Sequence, residues 1–241
     1  MNVMYKHLIT GGCSFTSEVS ATSWPTYVGQ SLGANVTNLG TNSIGNTFIA
    51  RRVISAVDHF LTQYKPEEIL VGINWSGPDR IHKFYGSEGP KLPCGDFYSE
   101  NPTNMFYNGA LEWEIGNSHW ENDFCNNYYR YVHTIPDAIT NTIDNILLVQ
   151  NYLTNKKVKY FMFTYLDIFK DNHLLPDDIK NYYKLIDFST FADLGGEWEW
   201  CMNNQKNNEY TDPTGEDNHP YSNGHREYVK TILLPFINTR L

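Results

Sequence analysis

At 241 residues the chain has the length of one ordinary domain with a sizeable core, and its 41% hydrophobic and 15% aromatic content excludes a disordered protein. Acidic side chains outnumber basic ones 27 to 18, a formal −9, and no Lys/Arg-rich run occurs, which argues against a surface that tracks nucleic-acid phosphates. No apolar run approaches the roughly eighteen residues of a membrane span.

The first residues, Met1 to Gly12, read as a strand entering a turn, without the apolar stretch and cleavage site of a signal peptide, so a cytoplasmic location is expected. His7 to Thr10 is the predicted first strand, ending at Gly11 and Gly12. Ser23 before Trp24-Pro25 marks a helix start, with Tyr27, Val28 and Leu32 as its stripe and Gly33 as its stop. Val36 to Leu39 is a second strand. Ile49, Val53, Val57, Phe60 and Tyr64 then recur at helical spacing, with Pro66 as the expected terminator. Glu68 to Ile73 is a third strand.

From about 84 to 129 the pattern dissolves into Gly, Pro, Asn and aromatic residues, as expected of a functional loop or a small insertion. Ile135, Ile139, Ile143, Leu147 and Leu153 mark a long amphipathic helix, and Val158 to Thr164 a fourth strand. A second irregular region, about 165–214, holds Trp198 and Trp200. Ser222 is the expected cap of a last helix with Val229, Ile232, Leu233 and Phe236 inward. Strands alternating with helices predict an α/β fold with a parallel sheet covered on both faces, in one domain spanning 1–241 with two aromatic insertions. The four cysteines, Cys13, Cys94, Cys125 and Cys201, form no CxxC pair; reduced thiols are expected, with a Cys94–Cys125 bridge as the alternative.

Four segments carry candidate chemistry. Gly11-Gly12-Cys13-Ser14-Phe15-Thr16 puts a serine on a glycine turn directly after a strand, at the sheet edge where open α/β folds bind ligands. Asn38 to Asn46, with Gly40 and Gly45, follows the second strand, and Gly72-Ile73-Asn74-Trp75-Ser76 ends the third. Each can aim a backbone or amide N–H at an oxyanion, although glycine and asparagine also serve ordinary turns. Near the end, Glu216-Asp217-Asn218-His219-Pro220 places a histidine two or three residues after a carboxylate that can orient it. His225 falls inside the last helix and reads as a packing or hydrogen-bonding neighbour.

In this order the four segments resemble the blocks of the SGNH (GDSL) hydrolase superfamily. They are most similar to a divergent branch, associated with phage and bacterial genomes, that shows GCSFT, NLG…GN and WS…R. The matching residues are Gly12 to Thr16, Asn38 to Asn46, and Trp75-Ser76 with Arg80. The resemblance implies a flavodoxin-like fold and a serine esterase that needs no cofactor. Ser14 would be the nucleophile and His219 the base, and the oxyanion hole would come from the Ser14 and Gly45 N–H groups and the Asn74 amide. It also implies a small ester substrate, with an O-acetylated carbohydrate as first choice, and phage encoding as one possible source.

There are departures. Cys13 stands where the family has Asp, and the spacing is Asp-x-His where the family has Asp-x-x-His; resemblance to branches with the shorter spacing implies Asp217 as the partner of His219, with Glu216, at the three-back position, as competitor. Gly40 competes with Gly45 for the second block. Asp217, His219 and His225 lack further ligands at metal spacing, and no GxxxxGK[ST] or GxGxxG appears. The aromatic insertions fit either a sugar-stacking surface or the core of a small subdomain. Arg80 fits an anion contact or an ion-pair partner. The alternative from another class is a catalytically silent module that binds a glycan or serves an assembly.

Overall fold

The structure, a computed structural model, describes residues 5–18, 21–84, 113–116, 123–170, 175–211 and 219–241. Strand β1 (His7–Gly12) is buried along its whole length and continues to the second glycine of the turn. Helix α1 (Trp24–Leu32) starts where Pro25 occupies the first turn and stops at Gly33, whose φ of 65° is left-handed. Then come β2 (Asn35–Asn38), α2 (Asn46–Phe60) and β3 (Ile69–Trp75), which is again buried throughout. The chain leaves α2 at Phe60, several residues before Pro66, and Pro66 instead opens a short 3-10 turn leading into β3.

Strands β4 (Ile81–Phe84) and β5 (Trp113–Gly116) pair antiparallel, and α3 (Asp123–Tyr131) follows. These occupy the region expected to be irregular; the rest of that region, including Cys94, lies outside the described residues. Next come α4 (Ile135–Lys156), β6 (Lys159–Thr164), α5 (Asp177–Tyr183), β7 (Phe191–Asp193) and α6 (Glu197–Asn204). The chain closes with α7 (Ser222–Tyr228), a π-helical turn (Val229–Leu233) and α8 (Leu234–Arg240).

Five strands form one parallel sheet in the order β2-β1-β3-β6-β7, the flavodoxin-like arrangement. The period of two divides the central strands β1, β3 and β6 between two cores. Ile9, Val71, Ile73 and Met162 face Phe48, Ile49 and Val53 of α2 and Ile139, Ile143 and Ile146 of α4. Leu8, Leu70, Phe161 and Phe163 face Trp24 and Val28 of α1 and Tyr228, Val229 and Leu233 of the C-terminal helix. Three layers result, with the short apolar strands buried on both faces as a parallel sheet requires.

Strand β7 and helices α5 and α6 stand where a structureless stretch was expected. Three residues of β7 carry no readable period. In α6 the two buried positions are Glu197 and Cys201, so the inward stripe is partly polar and invisible to a hydrophobic pattern. Ser222 does not cap α7. Tyr221 takes the cap position, and the Ser222 hydroxyl accepts the Thr22 backbone N–H at 3.1 Å, tying the helix start to the loop before α1. Among the described residues no helix is long and apolar enough to cross a membrane.

Candidate active site

Strand order reverses about β1, since β2 lies to one side of it and β3 to the other; such a switch point opens a crevice at the carboxyl ends of the strands. Ser14 leaves β1 at that point. The Thr16 and Ser17 N–H groups both donate to the Cys13 carbonyl, at 3.0 and 3.1 Å, so the chain turns back sharply around Ser14. Thr16 is the bolt of this turn. Its hydroxyl accepts Trp24 Nε1 at 3.1 Å, and its carbonyl accepts the Ser23 hydroxyl and Asn38 Nδ2 at 2.8 and 2.7 Å. Gly12 is required by close approach, because a Cβ there would overlap the Thr16 hydroxyl.

The second component arrives from the other end of the chain. His219 Nε2 lies 2.7 Å from Ser14 Oγ, across 205 residues of sequence. The His219 carbonyl accepts the buried Thr211 hydroxyl at 2.9 Å, Thr211 bridges Pro220, and Tyr221 N–H donates to the Tyr210 carbonyl at 2.7 Å. The ring itself packs on Phe15, centroids 5.0 Å apart. Backbone pairing and ring packing thus hold the imidazole against the serine. For Nε2 to accept the Ser14 proton, the neutral ring must carry its hydrogen on Nδ1. Both carboxylates proposed to hold that hydrogen, Glu216 and Asp217, lie outside the described residues.

The remaining predicted residues also gather at this edge. Asn74 pairs in register with Gly12 across β1 and β3. Its side chain is wholly buried, and its amide nitrogen donates to Glu197 Oε2 at 3.0 Å. The other Glu197 oxygen lies 2.6 Å from His225 Nδ1, so His225 is the hydrogen-bonded neighbour that its helical position suggested. Gly45 caps α2, and a Cβ there would lie 2.6 Å from the Arg80 carbonyl oxygen. Asn46 secures that helix start: it accepts the Ser76 N–H at 2.8 Å and donates to the Ser76 carbonyl and the Thr142 hydroxyl at 3.0 and 3.1 Å. Gly40 packs instead on the Thr16–Ser17 backbone, behind the serine turn.

A cavity of about 690 Å³ opens beside the pair, lined among others by Phe15, Arg80, Tyr165, Trp198, Glu199 and His219. Its chemistry is mixed. Burial pushes the Tyr165 phenol well above its ordinary pKa, so it stays neutral. Burial also raises the Glu199 carboxyl; one of its oxygens accepts the Asp167 N–H at 3.2 Å, and the other, with Trp198 Nε1, has no partner among the described residues. Such buried donors and acceptors await a ligand or water.

Sequence reading did not single out Glu197, Asn46 or Thr16. Asn46 had one signal, its place beside a helix-capping glycine; Glu197 had none, being one of two acids alternating with tryptophans. Cys13 and Cys201 are buried free thiols. Among the described residues no three His, Cys, Asp or Glu side chains gather as a metal would need. The arrangement suits proton transfer from a hydroxyl to an imidazole at the mouth of a half-apolar cavity. No protein-family model and no curated protein matches this chain.

Proposed function

We propose that the protein is a serine esterase that cleaves a small ester by two-step acyl transfer. The observation that carries this reading is the 2.7 Å contact between Ser14 Oγ and His219 Nε2 at the switch point of the sheet. Nucleophile and base within hydrogen-bond reach, one of them held by independent backbone pairing, is the geometry an activated serine needs.

In the first step Ser14 Oγ attacks the ester carbonyl while its proton passes to His219 Nε2. The negative charge that develops on the carbonyl oxygen is met by the Ser14 and Gly45 backbone N–H groups. The tetrahedral adduct collapses, the C–O bond to the alcohol breaks, and the alcohol leaves with the proton from His219. Water then loses a proton to His219 and attacks the acyl-serine; Ser14 leaves with that proton and the free acid is released. Asp217, or Glu216 in its stead, would hold the Nδ1 hydrogen and stabilise the imidazolium. The acyl group is small, with an O-acetyl on a carbohydrate as the first candidate, because Trp198 and Tyr165 offer flat rings beside free hydrogen-bonding atoms.

The rival reading, a silent glycan-binding or assembly module, draws on one observation: the Asn74 amide that the resemblance places in the oxyanion hole is engaged by Glu197. A fluorophosphonate probe separates the two. Stoichiometric labelling of Ser14, located by peptide mass and lost in Ser14→Ala, is expected of the esterase. Resistance to the probe, together with no hydrolysis of p-nitrophenyl acetate above the Ser14→Ala background, would leave the binding module.

A further inference from the structure

One hydrogen of the Asn74 amide is given to Glu197, and a second side-chain donor, a charged one, stands near the candidate oxyanion hole. The Arg80 guanidinium approaches the segments that carry the Ser14 and Gly45 backbone donors. It hydrogen-bonds the carbonyl of Ile44, the residue before Gly45, at a long 3.4 Å, and the Cys13 side chain, next to Ser14, is among the groups that raise its pKa. Its carbon lies 5.4 Å from the centroid of the Tyr165 ring, which in turn packs on Phe15 beneath His219. It also lines the cavity that His219 borders.

Among the described residues no carboxylate pairs with the Arg80 guanidinium within 4.0 Å, and the acceptor it has is one distant carbonyl. Burial alone would lower its pKa, but Cys13, Tyr165 and Asp79 outweigh that effect, and the group stays charged. A partly desolvated cation with unused N–H groups costs stability unless an anion completes it. The cation–π contact over Tyr165 orients the fork without consuming its donors.

We infer that Arg80 is a catalytic residue of the proposed esterase, and that its guanidinium donates to the carbonyl oxygen as that oxygen gains charge, adding to the backbone donors. The inference rests on the esterase reading. Because the group is charged and fixed before substrate arrives, its attraction grows with the charge on the oxygen and acts on kcat more than on KM.

The test is steady-state hydrolysis of an uncharged ester, p-nitrophenyl acetate, by wild type, Ser14→Ala, Arg80→Gln and Arg80→Lys, with melting temperatures measured alongside. For Arg80→Gln a loss in kcat of about 100-fold or more is expected, with KM within about threefold. Arg80→Lys keeps the charge without the fork and should lose about tenfold. If Ser14→Ala is dead while Arg80→Gln keeps kcat within about threefold of wild type, the Arg80 inference is overturned and the esterase reading stands. The inference is overturned equally if the variant raises only KM, and only for a negatively charged ester such as a p-nitrophenyl hemisuccinate, since Arg80 would then be a substrate anchor. If wild type shows no Ser14-dependent turnover, both fall. Should Arg80→Gln fail to fold, Arg80→Lys decides: an unchanged kcat overturns the inference.

Discussion

Asn74 and Glu197, 123 residues apart, are joined by a 3.0 Å hydrogen bond in the interior, and neither side chain has any exposed surface. Through Glu197 the carboxyl end of β3 is tied to α6, and through His225 to α7, the helix that directly follows the His219 turn. The bond makes Asn74, whatever else its amide does, part of a buried bracket beneath the Ser14–His219 edge of the sheet.

Removing the acid at the centre of this bracket should therefore be a stability event. Glu197→Ala leaves the Asn74 amide and the His225 ring unpartnered in the interior, a change worth roughly 3–5 kcal/mol for a buried charged network. For a chain of this size that corresponds to a fall in melting temperature of about 6–20 °C, read by calorimetry. Glu197→Gln keeps an acceptor for Asn74 and should fall by clearly less. A Glu197→Ala protein that melts with wild type would show that the bracket holds nothing together.

The Ser14–His219 pair, if it reacts as proposed, should respond in the opposite way. Ser14 is partly exposed, so Ser14→Ala opens no cavity, and its melting temperature should stay within about 2 °C of wild type. Turnover of p-nitrophenyl acetate should drop to the uncatalysed background. His219→Ala is expected to match it. Equal loss of stability and activity in both variants would assign the 2.7 Å contact to architecture rather than catalysis.

What could be read in the chain beforehand, and what could not, follows from where each signal resides. Four strands and the helices α1, α2 and α4 declare themselves through apolar period, and Pro25 and Gly33 mark both ends of α1. Ser14 and His219 were legible because each sits at a punctuated turn, one after Gly11-Gly12 and one before Pro220. Glu197 was not, because a buried acid is defined by partners distant in sequence. Arg80 was legible as an anion contact or an ion-pair partner, without a way to choose between them. Its surroundings, Ile44, Cys13 and Tyr165, come from three separate connections of the fold.

Mutation can also identify the carboxylate that serves His219. Asp217→Asn should reduce kcat by orders of magnitude less than Ser14→Ala does, because the amide still accepts a hydrogen bond but no longer stabilises the imidazolium. Glu216→Gln, assayed beside it, should leave kcat within about threefold of wild type. The reverse ranking would transfer the partner role to Glu216.

Gly12 tests the turn that carries the nucleophile. A methyl group there would overlap the Thr16 hydroxyl and come within 3.0 Å of the Asn74 carbonyl oxygen. Thr16 cannot simply rotate aside, since it is fully buried and its hydroxyl accepts the Trp24 indole N–H. Overpacking plus a lost hydrogen bond should make Gly12→Ala less stable by about 2–4 kcal/mol. Urea titration should show this as a lower midpoint at unchanged slope. An unshifted midpoint would mean that the turn has room it does not display.

Glu199, on the cavity wall, should make stability depend on pH. Burial raises its pKa above the ordinary glutamate value, so the folded state holds a proton there more tightly than the unfolded chain does. Where the folded state binds more protons, stability falls as pH rises; the loss begins near the unfolded pKa and is complete once pH passes the folded one. Above the folded pKa the protein thus carries a partly desolvated carboxylate, while below the usual glutamate range that burden is gone because both states are protonated. Glu199→Gln preserves the acceptor that the Asp167 N–H uses and removes the ionisation. Its melting temperature should therefore exceed that of wild type at about pH 7, and the gap should close by about pH 4. A gap of the same size at both values would assign the gain to packing, and a variant less stable at about pH 7 would show that the ionised carboxylate has a favourable partner in the cavity.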